Sequence, residues 1–421
     1  MKRIFLIITL VACALICATA HPKTTEHLAY ALRTDSIMPE DSVQADTVID
    51  NIRAEESLRA RVTKLLDNDI FERTQVGLYI YDLTADTLVI AYHERQCMRP
   101  ASNEKLMTAI TALNDLGVNY QYSTRLYVDQ LPQEGDSIFS GHVYIRAGYD
   151  PLFNADDMHA FARELKAHGI TRITSPICLD LSMKDDKLLG WGWCWDDDEV
   201  PTTPLLFNNR DTFIENMRRI FQAEDIEWDG TTTEHRTPSG ATLLCNRTHN
   251  IDDVLVPMMK KSNNSMAESM FYQIAAQGDR TKVGRKQAVA HYNALISHIG
   301  LDPSHYQIAD GSGLSLYNYL TPELLGRMLR YAYNDDDIFR HLHQSLPIAG
   351  RDGTLRKRMR GTSAAGNVHA KTGTVEGVST LSGYCTTAQG NVLCFSIMNQ
   401  GIRHTSTGRN FQDRVCKALC K

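Results

Sequence analysis

The chain has 421 residues, of which 43% are hydrophobic and 22% are charged, and its formal net charge is −6. These proportions are typical of a soluble globular protein, and the length allows two or three domains. The acidic balance argues against a general nucleic-acid binder, because such proteins usually present a basic face.

Residues 1–20 have the features of a secretory signal peptide. Lys2 and Arg3 precede an apolar run from Ile4 to Ala18, and Ala18-Thr19-Ala20 forms a small-x-small cleavage site. The run is shorter than the roughly 20 residues of a membrane-spanning helix. A lipoprotein leader is the alternative, because the sequence up to Cys13 (L-V-A-C) resembles a lipobox. Both patterns predict an exported protein that is soluble or peripheral after cleavage.

The cysteines indicate limited cross-linking. Eight of the ten cysteines follow residue 20, and export permits disulfides. No two of them have the C-x-x-C spacing of zinc ribbons or thioredoxin-like redox sites. Cys416 and Cys420 are spaced to share a helix face without being forced to bridge. We expect one or two disulfides at most, and neither a metal nor a cofactor.

The first part of the chain predicts a tether, a helix, a hairpin and a second helix. Residues 21–51 are polar and lack a steady period, which is typical of a tether. Apolar residues then recur at helical spacing from Ile52 to Leu66. Alternating segments at 76–82 and 87–92 predict two strands, and a helix begins near Ser102.

The remainder predicts an inserted region followed by helices and then strands. Residues 121–245 are rich in strands and turns, with strands at 123–128, 141–146 and 177–181 and one helix near 155–168. Later helices are expected near 252–259, 266–277, 284–299, 321–334 and 407–419, and strands near 368–371, 378–386 and 392–399. We therefore expect an α+β protein. One domain, 52–120 with 246–421, holds a helix-flanked antiparallel sheet, and 121–245 forms an inserted strand-rich domain.

Ser102-Asn103-Glu104-Lys105 is the only S-x-x-K sequence in the chain. A serine hydroxyl is a poor nucleophile at neutral pH and needs an adjacent base. On a helix, Ser102 and Lys105 share a face, so Lys105 lies within reach of the hydroxyl. Burial and a second cation, for which Lys371 is a candidate, would lower the pKa of Lys105 and let it accept a proton. Taken alone, the pattern also fits a polar helix start with Ser102 as N-cap.

A second motif, Ser262-Asn263-Asn264, lies between two predicted helices. A short loop there can aim a hydroxyl and an amide into a cleft. Ser262 would relay a proton to a departing amine, and Asn264 would hold a substrate amide and steady Lys105. Taken alone, the motif also fits an ordinary polar loop or helix cap.

A third motif, Lys371-Thr372-Gly373-Thr374, lies on a predicted strand edge. Lys371 and Thr372 offer a charge and a hydroxyl to a terminal carboxylate. Gly373 would let a ligand backbone approach the strand. The backbone N–H groups of Ser102 and Thr374 would form an oxyanion hole, whose donors contribute about 3–4 kcal/mol each. Three such motifs in this order predict acyl transfer through a serine.

The motifs S-x-x-K, S-x-N and K-T-G together resemble those of class C low-molecular-mass penicillin-binding proteins, which are serine D-alanyl-D-alanine carboxypeptidases and endopeptidases. The resemblance extends from about residue 55 to residue 421. Further segments similar to family signatures are R-A-G-Y-D-P-L (146–152), W-C-W-D-D (193–197), D-G-S-G-L-S (310–315), L-P-I-A-G (346–350) and D-G-T-L (352–355).

The resemblance implies a serine DD-peptidase/β-lactamase-like fold, with a five-stranded antiparallel sheet flanked by helices and an inserted domain. It implies that Ser102 attacks the penultimate D-Ala carbonyl of a peptidoglycan stem peptide, that water hydrolyses the acyl-enzyme, and that β-lactams acylate the same serine. It also implies a periplasmic location. Asp150 matches a residue that meets the amino end of the diamino acid in the stem peptide, although Ala147 and Tyr149 replace glycines of that loop.

Two other functions remain open. A class A β-lactamase would add an E-x-x-x-N pattern after S-x-N, but none occurs between Ser262 and Lys371, and the inserted region is unlike such enzymes. A non-catalytic peptidoglycan-binding or β-lactam-sensing protein would keep the same serine. Sensors usually carry a membrane-spanning segment, and none is predicted after the leader.

Four other patterns have ordinary interpretations. His341 and His343 fit a solvated helix better than a metal site, and the acidic run 196–199 fits a solvated turn better than a calcium site. Trp191, Trp193 and Trp195 fit a loop packed on the insert better than a sugar platform. The basic run 356–360 either faces an anionic substrate or lies on a wet surface.

Overall fold

A computed structural model describes residues 57–133, 138–194, 197 and 199–421. The predicted leader (1–20), the lipobox-like Cys13 and the tether (21–51) lie outside these ranges. In the part of the chain that the structure describes, no helix has the length and apolar character needed to cross a bilayer.

The predicted helices and strands occur in the predicted order, with further elements between them. The helices are α1 (57–66), α2 (Ile70–Arg73), α3 (Glu104–Asp115), α4 (Ala155–Ala167), α5 (Phe213–Ala223), α6 (Ile251–Lys261), α7 (Asn264–Ala275), α8 (Arg285–His298), α9 (Pro322–Tyr333), α10 (Asp336–Ser345) and α11 (Thr405–Leu419). The strands are β1 (Gln75–Asp82), β2 (Thr87–Tyr92), β3 (Gln121–Val128), β4 (Ile138–Phe139), β5 (Val143–Arg146), β6 (Arg172–Ile173), β7 (Ile177–Asp180), β8 (Glu227–Trp228), β9 (Thr232–Glu234), β10 (Thr242–Asn250), β11 (His369–Val375), β12 (Val378–Thr386) and β13 (Val392–Gln400). Short 3-10 turns cover Ala101–Asn103, Pro303–His305 and Gly353–Leu355.

The central sheet has five strands in the order β11-β12-β13-β1-β2, and all of its pairings are antiparallel. β1 pairs with β13, with Leu78 opposite Ile397, so the first hairpin joins the last strands as expected. Successive side chains of a strand point to opposite faces. Leu78 packs into the core that contains Phe411 of α11, whereas Tyr79 packs into the core that contains α3 and α9. Helices cover both faces, which explains why β1 is a nearly continuous apolar run.

The inserted region has its own core and two small sheets. One sheet has the order β10-β3-β5-β7-β9 and the other β4-β6-β8. Phe153, Phe161 and Phe221 are buried in the core of this region. β10 pairs with β3 as far as Asn250 opposite Gln121, so the expected boundary at 245/246 falls inside a strand. By internal contacts, residues 58–421 form one unit.

Apart from the single turn α2, two helices were not predicted, although one of them carries a clear signal. In α5, the buried residues Phe213, Met217, Ile220 and Phe221 recur at helical spacing. The surrounding strand-rich sequence obscured this pattern. The other unpredicted helix, α10, begins at the side-chain cap of Asp335, which accepts from the backbone N–H of Asp337 and Ile338.

The expectation of one or two disulfides is wrong. All eight cysteines that follow the leader lie in the described ranges, and all are free thiols. Cys416 and Cys420 share the buried side of the last helix and its cap, and both lie in the same core as Cys385. Buried free cysteines behave as small hydrophobic residues, so this core is filled by packing alone.

Candidate active site

The nucleophile segment is a 3-10 turn that leads directly into a buried helix. Ser102 lies in the turn Ala101–Asn103, and Ala101 adopts a left-handed backbone with φ of 47°. Helix α3 starts at Glu104 and is buried along most of its length, including Lys105, which is fully buried. The Lys105 Nζ lies 3.1 Å from Ser102 Oγ. The i, i+3 spacing therefore brings the two side chains together.

Lys105 is held by two further oxygens. Its Nζ donates to Asn264 Oδ1 at 2.7 Å and to the backbone carbonyl of Ser312 at 2.7 Å. Asn264 is the first residue of α7, and Ser312 belongs to the D-G-S-G-L-S segment. Residues more than 150 positions apart in the chain thus meet at one amine. The contact with Ser312 was not anticipated, because a backbone carbonyl has no side-chain signal.

The second motif forms the junction between α6 and α7. Ser262 ends α6 in a left-handed conformation with φ of 59°, and the Asn263 side chain caps α7 by accepting from the Met266 N–H at 2.9 Å. This sharp turn directs Ser262 and Asn264 into the same cleft. The Lys371 Nζ donates to Ser262 Oγ at 2.8 Å.

The third motif lies on β11, the edge strand of the sheet. Lys371 is fully buried and also donates to the Thr372 carbonyl at 2.8 Å. A Cβ at Gly373 would lie 2.6 Å from the Pro100 carbonyl and 2.1 Å from Thr380 Oγ1. The glycine therefore lets β11 approach the protein's own nucleophile segment. Our expectation assigned that space to a ligand.

Burial changes the proton affinity of both lysines. Burial lowers the pKa of Lys105 to about 8, while the negative charges of Asp310 and Glu268 oppose the change. Burial also lowers the pKa of Lys371 well below its usual value, and repulsion by Lys105 adds to that shift. Burial and Lys371 were both expected to lower the pKa of Lys105. Burial does so, whereas the repulsion between the two lysines lowers the pKa of Lys371.

The D-G-S-G-L-S segment is built around Asp310. Its carboxylate accepts from the backbone N–H groups of Gly313 and Ser315 at 2.8 and 2.7 Å and from Trp193 Nε1 at 2.8 Å. Gly313 has φ of 78°, and a Cβ there would lie 1.9 Å from the Ala101 carbonyl. The segment therefore folds tightly against the nucleophile turn, which places the Ser312 carbonyl over Lys105.

Two more buried carboxyl groups surround this loop. Glu268 accepts from the Gly311 N–H at 3.0 Å, and burial raises its pKa to about 8. Glu104 is fully buried, neither of its carboxyl oxygens has a hydrogen-bond partner, and burial raises its pKa well above the usual value.

A basic cleft of about 460 Å³ opens beside the nucleophile. Its lining residues are Ser102, Ser262, Gly353, Thr354, Arg356, Lys357, Arg358, Thr372, Thr374 and Arg409. Arg358 is paired with Asp413 at 2.6 Å, whereas Arg356 and Lys357 are exposed. Part of the basic run therefore faces the cleft. Arg409 from α11, whose Nη2 lies 3.4 Å from Thr374 Oγ1, was missed because nothing in the local sequence connects it to the three motifs.

Asp150 does not reach this cleft. Its carboxylate is 1% exposed, lies 2.6 Å from His249 Nδ1, and accepts from the Leu152 N–H at 2.9 Å. Tyr149 beside it has φ of 44°, so the loop keeps a glycine-like conformation despite the substitution. These contacts indicate that Asp150 stabilises the inserted region. They do not support the assignment of this residue to substrate binding.

The inserted region instead contributes Glu199. Its carboxylate accepts a hydrogen bond from Asn264 Nδ2. Nearby, Trp191 packs against Tyr317 with ring centroids 5.1 Å apart, and Trp193 contacts Asp310 as described. Trp191 and Trp193 thus contact the 310–317 loop, whereas Trp195 lies outside the described residues. Interpreting 196–199 as a solvated turn is wrong for Glu199, which the sequence could not connect to a motif 65 positions away.

No cluster within the described ranges brings together three or more His, Cys, Asp or Glu side chains that could hold a metal ion. His341 lies 2.8 Å from Asp252, and His343 stacks on His369 with ring centroids 4.1 Å apart. Burial lowers the pKa of His343 to about 4, so this ring is a neutral packing element and not a solvated one.

Comparison with known proteins adds an independent line of evidence. The model of the D-Ala-D-Ala carboxypeptidase 3 (S13) family matches residues 58–205 and 199–420. The D-alanyl-D-alanine carboxypeptidase DacB of Haemophilus influenzae is 25% identical, over 80% of this chain and 87% of that protein. A D-alanyl-D-alanine carboxypeptidase of Actinomadura sp. is 26% identical, over 82% of this chain and 81% of that protein.

Solved structures share the fold. Penicillin binding protein 4 (dacB) from Haemophilus influenzae has a TM-score of 0.75 and 22% identity, over 83% of this chain and 96% of that one. The same protein complexed with a novel β-lactam has a TM-score of 0.67 over 82% and 97% of the two chains. A predatory endopeptidase from Bdellovibrio bacteriovorus in complex with an immunity protein has a TM-score of 0.51 and 17% identity, over 82% and 94%. The predicted fold class is confirmed.

Proposed function

Because the chain belongs to the D-Ala-D-Ala carboxypeptidase 3 (S13) family, we propose that it is a serine D-Ala-D-Ala carboxypeptidase that acts on peptidoglycan stem peptides through an acyl-enzyme on Ser102. The single observation that carries the proposal is the contact of each catalytic hydroxyl with a buried lysine. Ser102 Oγ lies 3.1 Å from Lys105 Nζ, and Ser262 Oγ lies 2.8 Å from Lys371 Nζ.

Lys105 acts as the base for acylation. In its neutral form the amine has two N–H donors and one lone pair. The donors match the oxygens of Asn264 and Ser312, which leaves the lone pair for the Ser102 proton. Burial supports this role because it favours the neutral amine, with a pKa of about 8. Ser102 then attacks the carbonyl of the penultimate D-Ala.

Ser262 and Lys371 serve the leaving group. As the peptide bond breaks, the departing amine of the last D-Ala needs a proton, which Ser262 donates and Lys371 replaces. The backbone N–H groups of Ser102 and Thr374 stabilise the oxyanion. Asn264 holds the amide of the stem peptide.

The basic cleft holds the carboxylate of the terminal D-Ala. Thr372 and Thr374 line it together with the cations Arg356 and Arg409. A cation and two hydroxyls are the groups that bind a carboxylate well. Selectivity for a peptide with a free terminal carboxylate follows from this arrangement.

We further propose that β-lactams acylate Ser102, and that the protein acts in the periplasm after export. The β-lactam complex of a protein with the same fold supports the first point, and the leader-like residues 1–20 support the second. Endopeptidase action on cross-links uses the same acyl-enzyme, because a cross-linked stem presents the same penultimate D-Ala carbonyl to Ser102.

D-Ala release from a diacetyl-Lys-D-Ala-D-Ala peptide tests the proposal, together with labelling by a fluorescent penicillin. We expect wild-type protein to do both and Ser102→Ala to do neither. Labelling that persists in Ser102→Ala would show that the nucleophile is a different residue. Stable labelling of the wild type without D-Ala release would identify a β-lactam sensor. Digestion of purified peptidoglycan, with analysis of the released muropeptides, separates carboxypeptidase from endopeptidase action.

A further inference from the structure

Glu199 is connected to the reacting atoms through a single amide. Its carboxylate accepts from Asn264 Nδ2, and Asn264 Oδ1 accepts from Lys105 Nζ at 2.7 Å. Lys105 in turn contacts Ser102 Oγ. The Asn264 amide nitrogen carries two hydrogens, so one remains for the substrate while the other holds Glu199. A carboxylate from the inserted region is thereby held beside Asn264 of the second motif, which itself contacts Lys105 of the first.

Hydrolysis of an acyl-enzyme needs a base that water can reach. Four carboxyl groups act electrostatically on Lys105: Asp310, Glu268, Glu199 and Glu104. Asp310, Glu268 and Glu104 are at most 1% exposed, which separates them from solvent. Glu199 is the only one of the four that is partly exposed to solvent.

Lys105 and Lys371 are poorly suited to activating water for hydrolysis of the acyl-enzyme. Lys105 takes up the Ser102 proton during acylation, its donors are directed to Asn264 and Ser312, and it is fully buried. Lys371 is also fully buried and is directed to Ser262 and the Thr372 carbonyl. A second base with its own access to water would allow both half-reactions to proceed.

We propose that Glu199 is the general base that activates the hydrolytic water in deacylation, an inference that rests on the proposed function. The Glu199 carboxylate takes one proton from water, and the remaining hydroxide oxygen bonds to the acyl carbon. The ester bond to Ser102 Oγ then breaks, and Ser102 Oγ takes back a proton from Lys105. Glu199 and the newly formed carboxylic acid each lose a proton to solvent, and Lys371 takes back from solvent the proton that it passed to Ser262. The free enzyme is thereby restored, and the shortened peptide leaves as a carboxylate.

The arrangement differs from that of class A β-lactamases, in which a glutamate that serves deacylation through a water belongs to an E-x-x-x-N pattern after S-x-N. Glu199 precedes Ser262 in the chain and comes from the inserted region. The E-x-x-x-N pattern, which follows S-x-N in the chain, therefore does not describe this glutamate. The same placement assigns the inserted region a part in catalysis.

Glu199→Gln tests this role, because the glutamine oxygen can still accept from Asn264 Nδ2 while the side chain can no longer take a proton. Rapid mixing with a fluorescent penicillin measures acylation, and chasing the isolated acyl-enzyme with unlabelled ligand measures its release. We expect acylation within about twofold of wild type and release slower by about 10²–10⁴-fold, the usual contribution of a general base. The acyl-enzyme of the peptide substrate should accumulate, with a matching fall in kcat.

The matched control is Asp197→Asn, which removes a carboxylate from the same loop. Asp197 Oδ2 accepts from the Cys194 N–H at 2.7 Å, and asparagine can keep that bond. We expect both rates to be unchanged in this variant, and Glu199→Asp to recover part of the release rate.

Three results would overturn the inference. Unchanged release in Glu199→Gln would show that another group activates the water. Equal loss of acylation and release would show that Glu199 only maintains the geometry of Asn264 and Lys105. Wild-type protein that is neither acylated nor able to release D-Ala would refute the proposed function itself, whereas normal acylation with normal release in the variant refutes only the role of Glu199.

Discussion

Lys105 makes the first chemical step depend on pH. Because burial lowers the pKa of Lys105 to about 8, the amine is mostly protonated below that pH and becomes a base above it. We expect the second-order rate constant for acylation by penicillin to rise roughly tenfold per pH unit below pH 8 and to level off above it. Stopped-flow acylation measured from pH 6 to pH 10 would show this profile.

Lys105→Arg is the control for this prediction. A guanidinium keeps its proton throughout the same range, so it retains the charge but cannot act as a base. We expect slow acylation at every pH and no inflection near pH 8. An inflection that survives in this variant would mean that the profile reports a different group.

The residues of the active site could be predicted only where side-chain chemistry forms a local pattern. Ser102, Ser262 and Lys371 stood out because each belongs to a short motif. The Ser312 carbonyl, Arg409 and Glu199 gave no such signal, since their positions depend on how distant segments fold together. Asp150 shows the opposite case, in which a local likeness to a loop pattern suggested a site, but the carboxylate is buried against His249.

At the scale of elements, β11 and the nucleophile turn are packed as one piece. A methyl group at position 373 would meet the Pro100 carbonyl at 2.6 Å, a distance that no relaxed contact allows. We expect Gly373→Ala to push β11 away from Ser102 and to lose about 1–3 kcal/mol of folding free energy, the usual cost of overpacking. Penicillin acylation should fall by at least about tenfold, because roughly 1 Å of misplacement is costly in an active site.

Gly240→Ala is the matched control, since a Cβ at that exposed loop position meets nothing within 4 Å. Thermal unfolding and acylation rates measured side by side would separate the two variants. If Gly373→Ala acylates as fast as wild type, then the close approach of β11 does not position the nucleophile.

Helices and strands with a strong hydrophobic pattern could be predicted from the sequence, but the residues at which some of them end could not. The hairpin β1–β2 and the strands β12 and β13 were expected within a few residues. Apolar residues dominate β1, β2 and β13, whereas β12 combines apolar residues with serine and threonine and is still almost wholly buried. The end of the inserted region was misplaced, because β10 has mostly exposed side chains and its length is set by pairing with β3. Backbone pairing of this kind leaves little trace in the sequence.

At the scale of the whole molecule, strands from the two ends of the described chain pair in a single sheet beside the active site. β1 lies between β13 and β2, so the sheet forms only after residues 75–82 meet residues 392–400. The last helix, α11, packs on this sheet, and Phe411 meets Phe71 edge to face at 5.4 Å. The inserted region is joined to the same unit by Trp193 on Asp310 and by Glu199 on Asn264. A substitution that destabilises α11 should therefore also destabilise the inserted region.

Phe411→Ala tests whether residues 58–421 unfold together. Phe411 is fully buried, and loss of a buried phenylalanine costs about 3–5 kcal/mol. All four tryptophans of the chain lie between residues 191 and 228, so tryptophan fluorescence reports on the insert and on its contact with the 310–317 loop. Acylation of Ser102 reports on the sheet domain. In urea, we expect both midpoints to fall by the same amount in Phe411→Ala and to stay near wild type in the control Leu243→Ala, whose side chain is 48% exposed. A fluorescence transition that does not move while acylation is lost would show that the insert folds independently, and that its contacts at Asp310 and Asn264 do not couple it to the sheet.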